Sequence, residues 1–238
     1  MSMTLSFFDP TDSNGLAPEE ATIANRIRDA ILERRLPPGS KLPEEHLAET
    51  FATTRARVRR VLLALSREHI IVLQPARGAS VARPTPEDAM HILAARRVLE
   101  IGTVEHPCRK LTDEAYETLR ATIERERESH RQNDSVNMIR LSGQFHLELA
   151  LAVGNPVIAA MLRDLILRTS LIIALFERRK ATCCLTMDHG QILAAIHEGA
   201  TMEAARLMAR HLLEIEGNMD FSLAPPPVTS LSFLLAPS

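Results

Sequence analysis

Between Pro43 and Val81 the chain fits two helical stripes and a strand–turn–strand into about forty residues, and that order leaves few folds open. Glu44, Leu47, Ala48 and Phe51 form the first stripe. Val58, Leu62 and Leu65 form the second, and only Ala52-Thr53-Thr54 separates the two. Ile70-Ile71-Val72-Leu73, then Gln74-Pro75-Ala76-Arg77-Gly78, then Ala79-Ser80-Val81 read as strand, turn, strand. An earlier helix is expected over 18–35. Pro18 with Glu19 and Glu20 suits its first turn, and Ile23, Ile27, Ala30 and Ile31 supply its apolar stripe. Leu36-Pro37-Pro38-Gly39 stops it. Helix, tight turn, helix and hairpin together spell a winged helix-turn-helix over residues 18–83.

Beyond the linker Arg83-Pro84-Thr85-Pro86 there is little strand signal. Helices are expected near 86–106, 112–132, 134–152, 155–179, 186–199 and 201–219. Thr112-x-x-Ala115 and Asn155-Pro156 act as starts, Gly154 and Gly199 as stops. The fold class is therefore mainly α: an N-terminal winged helix-turn-helix and a C-terminal all-α bundle of six to seven helices over 84–222. Residues 1–17 read as a flexible arm and 223–238 as a tail.

The net charge of −2 hides an asymmetry. Residues 18–83 carry 12 Lys/Arg against 8 Asp/Glu, while 84–238 carry 16 against 20. Only the front half is suited to meeting a polyanion. No apolar run reaches the ~20 residues that span a bilayer, and no secretory signal is read. Cys108, Cys183 and Cys184 make no disulfide framework, so a reducing cytoplasm is the expected location. One Tyr and no Trp argue against a binder of single strands that stacks bases on aromatics.

The cations concentrate where a helix-turn-helix reads DNA. The second helix of such a pair enters the major groove N-terminus first, and here it begins Thr54-Arg55-Ala56-Arg57-Val58-Arg59-Arg60. An arginine fork can bond a guanine edge or clamp a phosphate. Thr54 can cap the helix and offer its hydroxyl to a phosphate. Arg77-Gly78 puts a cation on the hairpin tip. Arg34 and Arg35 have a plainer reading, as complements to the first helix's C-terminal dipole.

In the second half, three histidines lie on apolar helix faces. His146 precedes Leu149, Ala150 and Val153; His189 precedes Ile192, Leu193 and Ile196; His211 lies between Leu207-Met208 and Ile215. Each alone reads as a core histidine, but three together fit a shared site, because neutral imidazole is a common metal ligand. Arg96 either faces a ligand pocket or pairs with Glu100 on a surface.

Leu36-Pro37-Pro38-Gly39-Ser40-Lys41-Leu42-Pro43-Glu44, Leu47-Ala48, Thr54-Arg55, Val58-Arg59 and Arg77-Gly78-Ala79-x-Val81 together resemble the N-terminal domain of GntR-type regulators. Two places depart from that pattern: Ala56-Arg57 stands where a small residue and proline are usual, and Arg60-Val61 where an acidic residue and alanine are. Arg96-x-x-Leu99-Glu100, Phe145-His146-x-x-Leu149, Gly154-Asn155-Pro156 and His189-x-x-Ile192-Leu193 resemble the all-helical ligand-binding (FCD) domain of the FadR-like branch.

The resemblance implies base and phosphate contacts from Arg55, Arg57 and Arg59, and a minor-groove contact from Arg77-Gly78. It implies a divalent metal, zinc or nickel, on His146, His189 and His211. The family's aspartate one turn before the first histidine is Ser142 here, which removes the anionic ligand. It places Arg96 in the pocket, beside the metal, to receive a small carboxylate effector. The implied protein is a homodimeric transcriptional regulator, a repressor in the commoner case, acting on a roughly palindromic duplex operator. Two alternatives stay open: a helical half that is only a dimerisation scaffold, and a three-histidine metal hydrolase.

Overall fold

The computed structural model describes residues 15–33, 35–153, 155–177 and 189–222. The arm up to residue 14, Arg34, Gly154, the 178–188 stretch with Cys183 and Cys184, and the tail from 223 lie outside the described residues. The chain divides into two compact units, one reaching Thr85 and the other spanning Pro86–Phe221.

The first unit opens with α1 (Pro18–Leu32), whose buried face is Ala21, Ile23, Ala24, Ile27, Ala30 and Ile31. Ala17 has no side-chain acceptor for the first turn, but its backbone N–H donates to Glu20 Oε2 at 3.1 Å. The helix ends three residues before the expected limit. Next come α2 (Glu44–Thr50) and α3 (Arg55–Arg67). Between them the Thr53 N–H donates to the Ala48 carbonyl and the Ala52 N–H to Glu49, closing α2 in a Schellman turn. Ala52 holds φ 48° there, a left-handed position that usually falls to glycine. This turn aims α3 away from α2 within three residues.

Thr54 caps α3 by accepting from the Arg57 N–H at 3.3 Å. Val58, Val61, Leu62, Ala64 and Leu65 of α3 are buried. The hairpin consists of β1 (Ile71–Gln74) and β2 (Gly78–Val81), antiparallel, with Ile71 opposite Val81 and Gln74 opposite Gly78. The segment before α2 does more than stop a helix. Gly39 N–H donates to Val81 O, Val81 N–H to Ser40 O and Leu42 N–H to Ala79 O. Residues 39–42 thus lie along the far edge of β2 as a minimal third strand. Proline and glycine concealed that pairing from a reading based on periodicity.

The second unit is a bundle of α4 (Pro86–Glu105), α5 (Asp113–Arg131), α6 (Ser135–Ala152), α7 (Pro156–Phe176), α8 (His189–His197) and α9 (Thr201–Gly217). The expected starts hold: Thr112 accepts from the Ala115 N–H at 3.2 Å and Asn155 from the Ile158 N–H at 3.0 Å. α4 packs on α7 and α9, α5 on α6 and α8, and α6 on α7. Among the described residues no helix is long and apolar enough to cross a membrane.

α6 decides where the polar chemistry sits. Every residue from Leu141 to Ala150 is buried, so this helix is enclosed on all sides. It nevertheless carries Ser142, Gln144, His146 and Glu148. Buried polar groups need partners. Glu148 accepts from Gln144 Nε2 at 2.7 Å and from Thr122 Oγ1 at 2.8 Å, and burial raises its carboxyl above the ordinary carboxylate value. His146 points into a different network.

Candidate functional site

Two constellations carry chemistry, one in each unit. On α3 the arginines are exposed but not unpartnered. Arg59 donates through Nε to Glu44 Oε1 at 3.0 Å and through Nη2 to Glu44 Oε2 at 2.8 Å. Arg55 Nη2 lies 4.0 Å from the same Oε2. Arg57 pairs with Glu19 at 2.6 Å. Arg60 Nε donates to Glu20 at 2.9 Å. Glu20 is only 2% exposed, so Arg60, itself more than half exposed, ties α3 to α1 through a buried carboxylate. Its guanidinium, with the Ala17 N–H, holds the Glu20 carboxyl below the ordinary value against the opposing effect of burial. Arg57 and Arg60 therefore turn toward α1, while Arg55 and Arg59 share one face, four residues apart.

The three glutamates were missed from sequence because they lie 15 to 40 residues from their partners. Glu19 and Glu20 had already been explained as first-turn residues. At the hairpin tip, Arg77 is exposed and makes no ion pair among the described residues. Its N–H donates to the Gln74 carbonyl at 3.1 Å to close the turn. Gly78 holds φ 78° there, a backbone that suits glycine.

In the bundle, α6, α8 and α9 bring His146, His189 and His211 together, all buried. Their ligand atoms lie within 4.8 Å of one another. His211 Nε2 is 3.1 Å from the Nε2 of His146 and 3.1 Å from that of His189. Two of the outer nitrogens face carboxylates: His189 Nδ1 lies 2.7 Å from Glu126 Oε2, and His146 Nδ1 lies 2.5 Å from Glu100 Oε2, while His211 Nδ1 is buried with no hydrogen-bond partner among the described residues. A carboxylate at Nδ1 holds the proton there and leaves Nε2 as a lone pair. Phe145 stacks on His189 at 4.2 Å between ring centroids and fixes the ring plane.

Burial holds the His146 imidazole below its ordinary pKa against the pull of Glu100. Burial, then His189, His146 and Arg96, push His211 well below its own. His146 and His211 are therefore held toward the neutral form, and the Nε2 atoms of all three rings converge. Converging lone pairs repel unless a cation lies between them. Nitrogens 3.1 Å apart lie a little inside the roughly 3.3 Å edge of a tetrahedron with metal–nitrogen bonds of about 2.0–2.1 Å. The residues present fit a divalent metal. Among the described residues the converging set is the three histidines alone. Ser142, one turn before His146 on α6, is buried.

Arg96 matches its surface-pair reading in its partner and not in its surroundings. It does pair with Glu100, Nε to Oε1 at 2.6 Å, but the pair is not on a surface: each residue is 2% exposed. Its buried Nη2 has no hydrogen-bond partner among the described residues. Burial would raise the Glu100 carboxyl, but Arg96 and His146 outweigh it and hold the pKa lowered to about 2.

These shifts share a sign. In the folded chain His146 and His211 resist protonation, so the unfolded chain takes up protons first as the pH falls below about 6.5. Glu100's contribution is lost later, as the pH falls from 4.5 toward 2. Glu148, with its raised pKa, opposes this at acid pH. In metal-free protein the thermal midpoint of the helical unit should fall by roughly 5–10 °C between pH 7 and pH 5. A midpoint that rises over that interval would contradict the neutral buried cluster.

The model of bacterial regulatory proteins of the gntR family matches residues 19–81, and that of the FCD domain matches residues 91–214. The HTH-type transcriptional regulator LutR of Bacillus subtilis is 26% identical over 213 residues, covering 78% of this chain and 94% of LutR. The HTH-type transcriptional repressor NanR of Cronobacter sakazakii is 26% identical over 212 residues, covering 80% of this chain and 81% of NanR. The crystal structure of a GntR transcriptional regulator from Rhodococcus sp. RHA1 superposes with a TM-score of 0.70 at 23% identity, covering 84% of this chain and 97% of that one. That last likeness is one of fold.

Proposed function

The chain belongs to the gntR family of bacterial regulatory proteins, carries an FCD domain and is a DNA-binding transcriptional regulator, and on that premise we propose that it is a repressor released by a small carboxylate bound in the helical unit. Thr54, Arg55, Arg59, Arg77 and Gly78 contact duplex DNA, while Arg57, paired with Glu19, stays against α1. Arg96, Ser142, His146, His189 and His211 line the effector site, and the three histidines hold a divalent metal, zinc or nickel. A homodimer places two winged units on two half-sites of an operator. The name of NanR, a repressor, supports the direction of control.

The observation that carries the sensor reading is the convergence of three buried imidazoles with no carboxylate in the set. When bound, the metal supplies a Lewis-acidic, positively charged centre at that point. The chain's residues do the rest. Glu100 and Glu126 hold the Nδ1 protons and aim the rings. Arg96, buried and with Nη2 unpartnered, offers a donor to an anion. Because the three ligands are neutral, an anion from solution completes the charge balance. Effector binding changes operator affinity only so far as the anion binds one arrangement of the dimer better than the other.

Titration of the metal-free protein with zinc is the test. Wild type should take up one equivalent per chain. His189→Ala should lose at least about tenfold in zinc affinity, with DNA affinity in the absence of effector retained. Acetate should raise the melting temperature of the zinc-loaded wild type and not that of the variant. No zinc uptake by wild type would remove the metal from this account. No anion-dependent shift would favour the helical unit as a dimerisation scaffold.

A further inference from the structure

The arginines of α3 are not equivalent, and the difference lies in how their partners hold them. Arg57 and Arg60 are drawn toward α1 by Glu19 and Glu20. Arg55 touches Glu44 through one nitrogen at 4.0 Å, which leaves its plane unset. Arg59 is gripped along a whole edge, with Nε and Nη2 on the two oxygens of Glu44 at 3.0 and 2.8 Å, whereas the same edge of Arg60 converges on one oxygen of the buried Glu20. A guanidinium has five N–H donors in a rigid fork. Glu44 takes the Nε donor and one Nη2 donor, so two Nη1 donors and one Nη2 donor remain on the far end. That end is a parallel pair of the kind that bonds guanine O6 and N7.

We infer that Glu44 and Arg59 form a pre-aimed guanine reader, in which Glu44 is a positioning residue that sets sequence preference without touching DNA. The inference rests on α3 being the DNA-reading helix. Two arguments favour a base over a phosphate as the target. A phosphate contact needs charge but no fixed guanidinium plane, whereas bidentate base readout needs the plane. A carboxylate 2.8 Å from the contacting cation would also repel a phosphate and waste affinity, while a base edge carries no net charge. Glu44 is itself well placed to stay ionised: the bond from Arg59 lowers its pKa despite partial burial. Its partly buried place at the start of α2, whose Leu47 and Ala48 pack into the core, gives the fork a fixed base.

The experiment is selection of duplexes from a randomised double-stranded pool by full-length wild type, followed by affinity measurement on the enriched duplex and its single-base-pair variants. Wild type should show one G·C pair per half-site whose replacement weakens binding roughly tenfold. Arg59→Ala should bind both duplexes equally at that position. Glu44→Gln should shrink the preference to about threefold or less, while its affinity for mixed-sequence DNA stays level or rises. Glu45→Gln removes the same charge from the same exposed helix start and should keep the full preference. A thermal melt of Glu44→Gln confirms that the winged unit stays folded. Retention of the full preference by Glu44→Gln, or a loss by Arg59→Ala that is uniform across all duplexes, would overturn the assignment. A wild type that enriches no duplex would overturn the DNA-reading role of α3 and this pair with it.

Discussion

Replacing Arg96 by leucine is expected to cost the helical unit about 3–5 kcal/mol of stability. Arg96 and Glu100 lie one turn apart on α4 and are both shielded from water, so the carboxylate has the guanidinium as its main compensating charge. Taking the arginine away strands a buried anion beside His146. The carboxyl can escape by taking up a proton, so the loss should grow as the pH rises. The double variant Arg96→Leu with Glu100→Leu should recover most of the deficit, because an apolar pair of similar volume needs no desolvation. Urea melts followed by the helical signal measure both. A loss below about 1 kcal/mol for the single variant would mean that the pair is solvated and not a buried hinge of the cluster.

The second large effect falls on DNA. Arg55→Ala and Arg59→Ala should each weaken binding to a selected duplex by roughly 1–3 kcal/mol where a base is read, and the two together by at least about thirtyfold. The helix itself should survive, since Val58, Leu62 and Leu65 hold it from the other side. Arg60→Ala is the contrasting case. It leaves Glu20 buried without its cation, so it should lower the melting temperature of the winged unit while affinity per folded molecule changes little. Equal losses of affinity from Arg60→Ala and Arg59→Ala would contradict the division of the four arginines into two that face out and two that hold the unit together.

The order of elements was legible in the sequence because it depends on local signals. Thr54, Thr112 and Asn155 cap the helices they precede, and apolar residues recur at the period of each element. The three histidines were legible as well, since each sits on an apolar helix face. Their carboxylate partners were not. Glu126 is 63 residues from His189 and Glu100 is 46 residues before His146, and no local pattern joins such pairs. For the same reason Glu19, Glu20 and Glu44 read as helix-start residues until the fold placed them against arginines. Arg96 was the instructive intermediate. Its spacing from Glu100 was plain, but spacing alone did not say whether the pair faced water or the core. α6 hid its importance differently. A helix enclosed on every side has no single apolar face, so the polar residues it carries cannot be sorted into core and surface by periodicity.

The central claim is that α3 presents its arginines to duplex DNA. The most direct measurement is the affinity of the full-length chain for a selected duplex across a series of salt concentrations, read by fluorescence anisotropy. Each phosphate neutralised by an arginine releases counterions, so the logarithm of affinity should fall linearly with the logarithm of salt, and the slope should be shallower for Arg55→Ala. Binding that ignores salt, or no binding to any duplex even at low ionic strength, would contradict it.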